Sequence, residues 1–138
     1  MISKKDLESL AQMRLDDART LFQGQRFSAA YYVAGDAVEL GIKAVIAAVF
    51  QANAIPERSL VDRVYSHKLN DLLGVAGLRF KLEADLARDP NLAAAWGIAS
   101  KWNEASRYEM NDQFAAAGMI EAVENPNHGV LQWLKKHW

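Results

Sequence analysis

Residues 28–50, SAAYYVAGDAVELGIKAVIAAVF, are apolar along almost their whole length, yet Asp36, Glu39 and Lys43 sit in the middle. The run is nearly long enough to cross a bilayer, so those three charges decide how it is read. Each would cost about 2.5–3.5 kcal/mol near the centre of a membrane helix, more than the surrounding alanines and valines return. The stretch is therefore expected to be the buried central helix of a water-facing helical bundle. Successive residues of a helix turn by about 100°. Tyr32, Asp36, Glu39 and Lys43, spaced by four, three and four, then fall in one line along an otherwise apolar rod. An unpaired buried carboxylate costs several kcal/mol, so the line must meet counter-charges or a polar cleft. Glu39 and Lys43 stand one turn apart and partly neutralise each other. Asp36 needs a further cation.

Working outward, residues 4–23 place Leu7, Leu10, Ala11, Ala18, Leu21 and Phe22 on one helical face. Gly24 is expected to end that helix, and Arg14 to lie at the centre of its apolar face. Helices joined by so short a turn pack antiparallel, which sets Arg14 against Asp36. The second helix is expected from Ser28, as N-cap, to about Asn53. Residues 54–65 read as a loop around Pro56. Ser66 is expected to cap a short helix carrying Leu69, Leu72, Leu73 and Ala76 inward, and LRFKLEADLAR is a weaker helix candidate. Asp89-Pro90 is a cap-plus-proline start for a helix bearing Leu92, Trp96, Ala99 and Trp102 and reaching Tyr108. Asn111 or Asp112 opens another, with Phe114, Met119, Ile120 and Val123. Asn125-Pro126 repeats the start signal before a short terminal helix. No stretch alternates with period two. The fold class is all-α, an antiparallel up-and-down bundle of four main helices plus one or two short ones.

The 138-residue chain is read as a single domain, 1–138, with its core at about 5–125 and a short C-terminal helix at about 126–138. Sixteen basic residues against seventeen acidic give a net charge of −1, without the basic excess that non-specific nucleic-acid binding demands. With no cysteine there is neither a disulfide nor a thiolate metal site. The N-terminus turns acidic within six residues and lacks an apolar signal core, so the expected location is cytoplasmic. No glycine-rich phosphate loop, zinc-ligand spacing or nucleophile elbow is present.

Three stretches in order carry a resemblance: LFQGQRFSAAYYVAGDAVELGIKAVI, then SHKLNDLL, then WNEASRYE. Together they resemble the HEPN family, the higher eukaryotes and prokaryotes nucleotide-binding domain, over about residues 5–125. Glu39, Lys43, His67, Leu69, Leu72, Arg107 and Tyr108 fit the family's positions. The resemblance implies a bundle of about four antiparallel helices, commonly a homodimer. Some members are metal-independent ribonucleases acting as toxins or defence effectors. Others are non-catalytic partners of small nucleotidyltransferases, as in toxin–antitoxin pairs, or bind nucleotides. The ribonuclease signature is Arg, four to six residues, then His. After Arg107 those positions hold Asp112, Gln113 and Phe114, so the base that would activate a ribose hydroxyl is missing from its place.

The leading expectation is thus a non-catalytic binding module, a homodimer, with a nucleotide-like or other anionic ligand, RNA or a small nucleotidyltransferase as ligand or partner, and with no metal or other cofactor. Asp36, Glu39, Lys43, His67, Arg107 and Tyr108 are the candidate ligand-binding residues. Arg14, Asp36, Glu39 and Lys43 are equally a candidate structural ion network fixing helix register. In that reading His67 merely packs at a helix start and Arg107 pairs with Glu39 or Asp36. An atypical ribonuclease built on Arg63, His67 and Arg107 is the competing class. Lys43 in the line argues against a metal held by Asp36, Glu39 and His67. Trp96, Trp102, Trp133 and Trp138 read as core and dimer contacts, and the tail with Lys135, Lys136 and His137 as a docking surface.

Overall fold

The computed structural model describes residues 1–138 and contains eight α-helices and one 3₁₀ turn, with no strand. Helix α1, Lys4–Gln23, opens with a reciprocal cap: Ser3 Oγ accepts from the Asp6 backbone and the Asp6 carboxylate accepts from the Ser3 backbone. Its buried line is Leu7, Ala11, Leu15 and Ala18. Leu15, absent from the expected face, is fully buried, whereas Leu10, Leu21 and Phe22 are only partly so. Arg14 consequently sits on the flank of the apolar face, not at its centre.

Gly24 ends α1 as expected, but the left-handed residue of the turn is Gln25, at φ 60°. Helix α2, Phe27–Ala47, then runs back antiparallel. Phe22 meets Phe27 edge-on, with ring centroids 5.3 Å apart, and Arg14 meets Asp36, pairs spaced symmetrically about the turn. The α1–α2 contact is the most extensive in the molecule. Ser28 is not the N-cap. The helix starts a residue earlier, and the Ser28 hydroxyl accepts from the Asn111 backbone at 2.8 Å. Nor does α2 reach Asn53. It ends at Ala47, beyond which the chain is exposed and Asn53 adopts φ 63°.

The expected loop at 54–65 contains helix α3, Arg58–Val64, which buries no residue. Ser66 does not cap the next helix. Its hydroxyl accepts from Lys68 N in a local turn, and α4 spans Leu69–Val75 with Leu69, Leu72, Leu73 and Val75 inward. Helix α5, Arg79–Arg88, is tied to α4 where Arg79 donates twice to the Asn70 carbonyl. Asp89 caps α6, Pro90–Ala99, through Asn91 and Leu92 N–H. That helix stops nine residues short of Tyr108. Trp102 leaves the helical path to donate its indole N–H to the Tyr32 carbonyl at 3.0 Å. Asn103 then caps a 3₁₀ turn, Glu104–Tyr108.

Asp112 caps α7, Gln113–Glu124, which turns Met119, Ile120 and Val123 inward but leaves Phe114 86% exposed. Asn125-Pro126 makes a turn instead of a helix start: the Asn125 side chain accepts from Asn127 and His128 N–H, and α8 spans Val130–Lys135. Val130, Leu131, Trp133 and Leu134 are buried there, and Trp138 donates to the Gly41 carbonyl. The terminal segment is therefore part of the core through these apolar side chains, while Lys136 stays exposed. The short helices number four besides the 3₁₀ turn, more than the one or two expected. No helix is long and apolar enough to cross a membrane.

Candidate functional site

The charged line of α2 forms a seam where α1, α2, α4 and the 3₁₀ turn meet. Glu39 is its buried member, and its Oε1 accepts from two side chains. Lys43 Nζ donates from one turn along the same helix at 2.9 Å, and His67 Nδ1 reaches in from the start of α4, also at 2.9 Å. An ionised carboxylate only accepts, so this contact fixes the tautomer with a proton on Nδ1 and turns Nε2 outward. Nε2 faces Glu104 Oε1 at 4.0 Å, and Arg107 reaches the same oxygen at 3.9 Å. The Arg107 guanidinium lies over the Tyr108 ring, 4.9 Å from its centroid. On the other side Asp36 takes Arg14 Nε at 3.5 Å, and Arg14 also bonds Asp17.

Exposure is graded along this chain. The Glu39 side chain is 6% exposed and Lys43 15%, while His67, Glu104 and Arg107 are about half open. Burial, then repulsion from Glu39, pushes the Asp36 carboxyl above its usual range, against the pull of Arg14, Lys43 and His67. Burial, then Asp36, likewise raises the Tyr32 phenol.

Trp102 forms the adjoining wall. Its ring lies 5.5 Å from that of Tyr32 and rests on Gly35, where a Cβ would come within 2.1 Å of the indole. A glycine is needed there for close approach, which is how the 3₁₀ turn is carried against α2.

Of the candidate residues, Asp36, Glu39, Lys43 and His67 come together, with Arg14 on Asp36. Arg107 pairs with Glu104 and lies near Tyr32 of the α2 line, with Tyr108 beneath its guanidinium, but it contacts neither Glu39 nor Asp36, contrary to the expected pairing. Glu104, Gly35 and Trp102 are the members the sequence reading missed. Glu104 stands three residues before Arg107 in WNEASRYE, so helical spacing was the available signal. Arg63 lies on α3, His128 binds Asp89 and His137 packs on Trp133, all apart from the seam. Compared with known families, curated proteins and solved structures, the chain has no match.

The seam holds three carboxylates and four basic groups, each base already facing an acid. An incoming anion would share Lys43, His67 and Arg107 with Glu39 and Glu104, while the two outer groups stay open to solvent. No set of three His, Asp or Glu side chains has metal-cage geometry. A cavity of about 260 Å³ opens elsewhere, between α1 and α7, and none of the seam residues lines it.

Proposed function

We propose that this chain is a non-catalytic, HEPN-like binding module. It acts as a homodimer and uses Lys43, His67, Arg107 and Tyr108 to hold a nucleotide-like or other anionic group, free or presented by a small nucleotidyltransferase partner. The observation that carries this reading is the relay from buried Glu39 through His67 to Glu104 and Arg107. It preorganises His67 and Arg107 at a surface, with the largely buried Lys43 behind them. Arg107 adds a planar fork suited to phosphate, with Tyr108 as a ring for a base to stack on. Titrating AMP and inorganic phosphate by calorimetry tests it. Arg107→Ala and Lys43→Met should each weaken AMP about tenfold, or about 1.4 kcal/mol. Unchanged affinity in both removes the reading. If Glu39→Gln combined with Lys43→Met alters melting alone, the seam serves only helix register.

One observation favours a second reading, a metal-independent ribonuclease with an atypical site. His67 is oriented by a buried carboxylate, with Nε2 outward on the same side as Arg107. Incubation of the protein with total RNA in chelator separates the two. Cleavage that disappears in Arg107→Ala establishes the nuclease, and intact RNA leaves the binding module.

A further inference from the structure

The seam leaves the opposite flank of α1 unexplained. There α1 and α7 part to form the open cavity of about 260 Å³, with Phe22, Ala117 and Ile120 as its apolar wall and Arg19, Glu121 and Glu124 at its rim. The apolar surface does not stop at the cavity. Phe114, one turn before Ala117 on α7, is 86% exposed, and Met110 beyond it is 99% exposed. The Ser28–Asn111 bonds pin this turn beside Phe27, whose ring packs on Phe22 of the cavity wall. Phe114 and the cavity thus form one strip along α7, with Met110 exposed just ahead of the helix. Large side chains so exposed in a row mark an interaction surface more often than chance.

Charge says what covers it. Arg19 is taken by Glu124 and Asp16. Glu121 stands at the rim, and Glu109 and Asp112 lie just before α7; none of the three has a basic side chain within ion-pair distance, Asp112 capping the helix and Glu121 accepting from Asn125. The strip is therefore apolar along its floor and acidic along its edges. Its apolar residues recur at helical-turn spacing, parallel to α7, which is the geometry that receives another helix through i, i+3, i+4 and i+7 anchors.

We infer that the α1–α7 groove docks an amphipathic helix of a partner protein, with aliphatic residues on one face and lysine or arginine flanking them. The aliphatic face fills the cavity between Phe22 and Ala117 and packs on Phe114, while the basic flanks reach Glu109, Asp112 and Glu121. The cavity shares no lining residue with the charged seam, and the docking site stands without it.

The test uses the full chain and two fluorescein-labelled 16-residue helices, one of leucine and lysine with leucines at that spacing, the other with glutamate for each lysine. Anisotropy should show binding of the lysine helix alone. Amide shifts should concentrate in residues 16–23 and 110–124. Ala117→Arg, which blocks the cavity mouth, should weaken the complex at least tenfold. Glu109→Lys combined with Glu121→Lys should lose the lysine helix and gain the glutamate one. Phe114→Ala, at a position too exposed to affect folding, should weaken binding even if Ala117→Arg misfolds. Equal binding of both helices, shifts centred elsewhere, or Phe114→Ala without effect overturns the proposal. So does sedimentation showing that a second copy of the chain occupies the face.

Discussion

Oε1 of Glu39 receives one donor from its own helix and one from α4, in a setting almost closed to water. Removing that carboxylate strands Lys43, itself largely buried, and an uncompensated buried charge typically costs about 3–5 kcal/mol. Glu39→Leu should therefore lower unfolding free energy by about 3 kcal/mol in urea, and Glu39→Leu with Lys43→Met should recover most of it. A single variant costing under about 1 kcal/mol would show the pair to be incidental. Asp36 makes a prediction of definite sign. Its folded pKa is raised, so as pH climbs from the unfolded value toward the folded one, the unfolded chain ionises first and the fold loses stability. Relative to Asp36→Asn, the wild type should weaken across that rise and then run parallel to it. Asp89 has the opposite sign. The His128 hydrogen bond, then the Leu92 amide, depress its pKa, so its contribution is present above the ordinary carboxylate range and fades as pH falls through the folded value. Thermal melts against Asp89→Asn from neutral pH to pH 3 should converge. The α2 line and its Arg14 partner were legible because helical spacing alone aligns them. Arg107's true partner was not. It depends on the chain breaking at Ala99 and restarting at Asn103, a tertiary arrangement in which the Trp102 indole bonds a carbonyl on α2.

Between elements, the closest approach that positions the site is Trp102 on Gly35. Gly35→Ala forces the indole off α2, and overpacking of this kind costs about 1–3 kcal/mol. Its urea midpoint should fall accordingly, and the Trp102→Phe background should soften the loss. An unchanged midpoint would mean that the 3₁₀ turn slides without penalty. Helix starts at Asp89 and Asp112 were legible, since a side-chain acceptor ahead of a helical pattern satisfies orphan N–H groups, whereas the Ser3–Asp6 capping box went unread. The ends at Ser28, Ser66 and Asn125 were misread. The same side-chain chemistry also closes local turns or ties to distant backbone, as Ser28 does to Asn111. Helix α3 escaped notice because it is only two turns long and buries no residue fully, its Leu60 and Val64 merely resting on the core. Phe114 shows the reverse error: an aromatic beside an amphipathic run was assigned inward, but the phase set by Ala116, Met119 and Val123 turns it out.

For the molecule as a whole, the all-α class followed from helical spacing and the lack of a membrane-crossing helix from the charges inside α2, whereas the extent to which the C-terminal segment is buried did not. A short run rich in Trp and Lys reads as surface until Val130, Leu131, Trp133 and Leu134 are seen filling the space beside Gly41 and α7. Each such burial is worth about 1.5–3 kcal/mol, and whole domains have only about 5–15 kcal/mol in hand. A chain ending at Asn125 should show no cooperative thermal transition by circular dichroism. A sharp transition near the parent's would mean that the seam region folds unaided. One consequence lies in the tryptophans. Trp102 alone of the four touches Tyr32 of the charged line, while Trp133 is held by Asp85 and Trp138 by Gly41. Biosynthetic incorporation of 5-fluorotryptophan should give four separable ¹⁹F resonances, one of which serves as an internal beacon for seam occupancy while the others act as silent references.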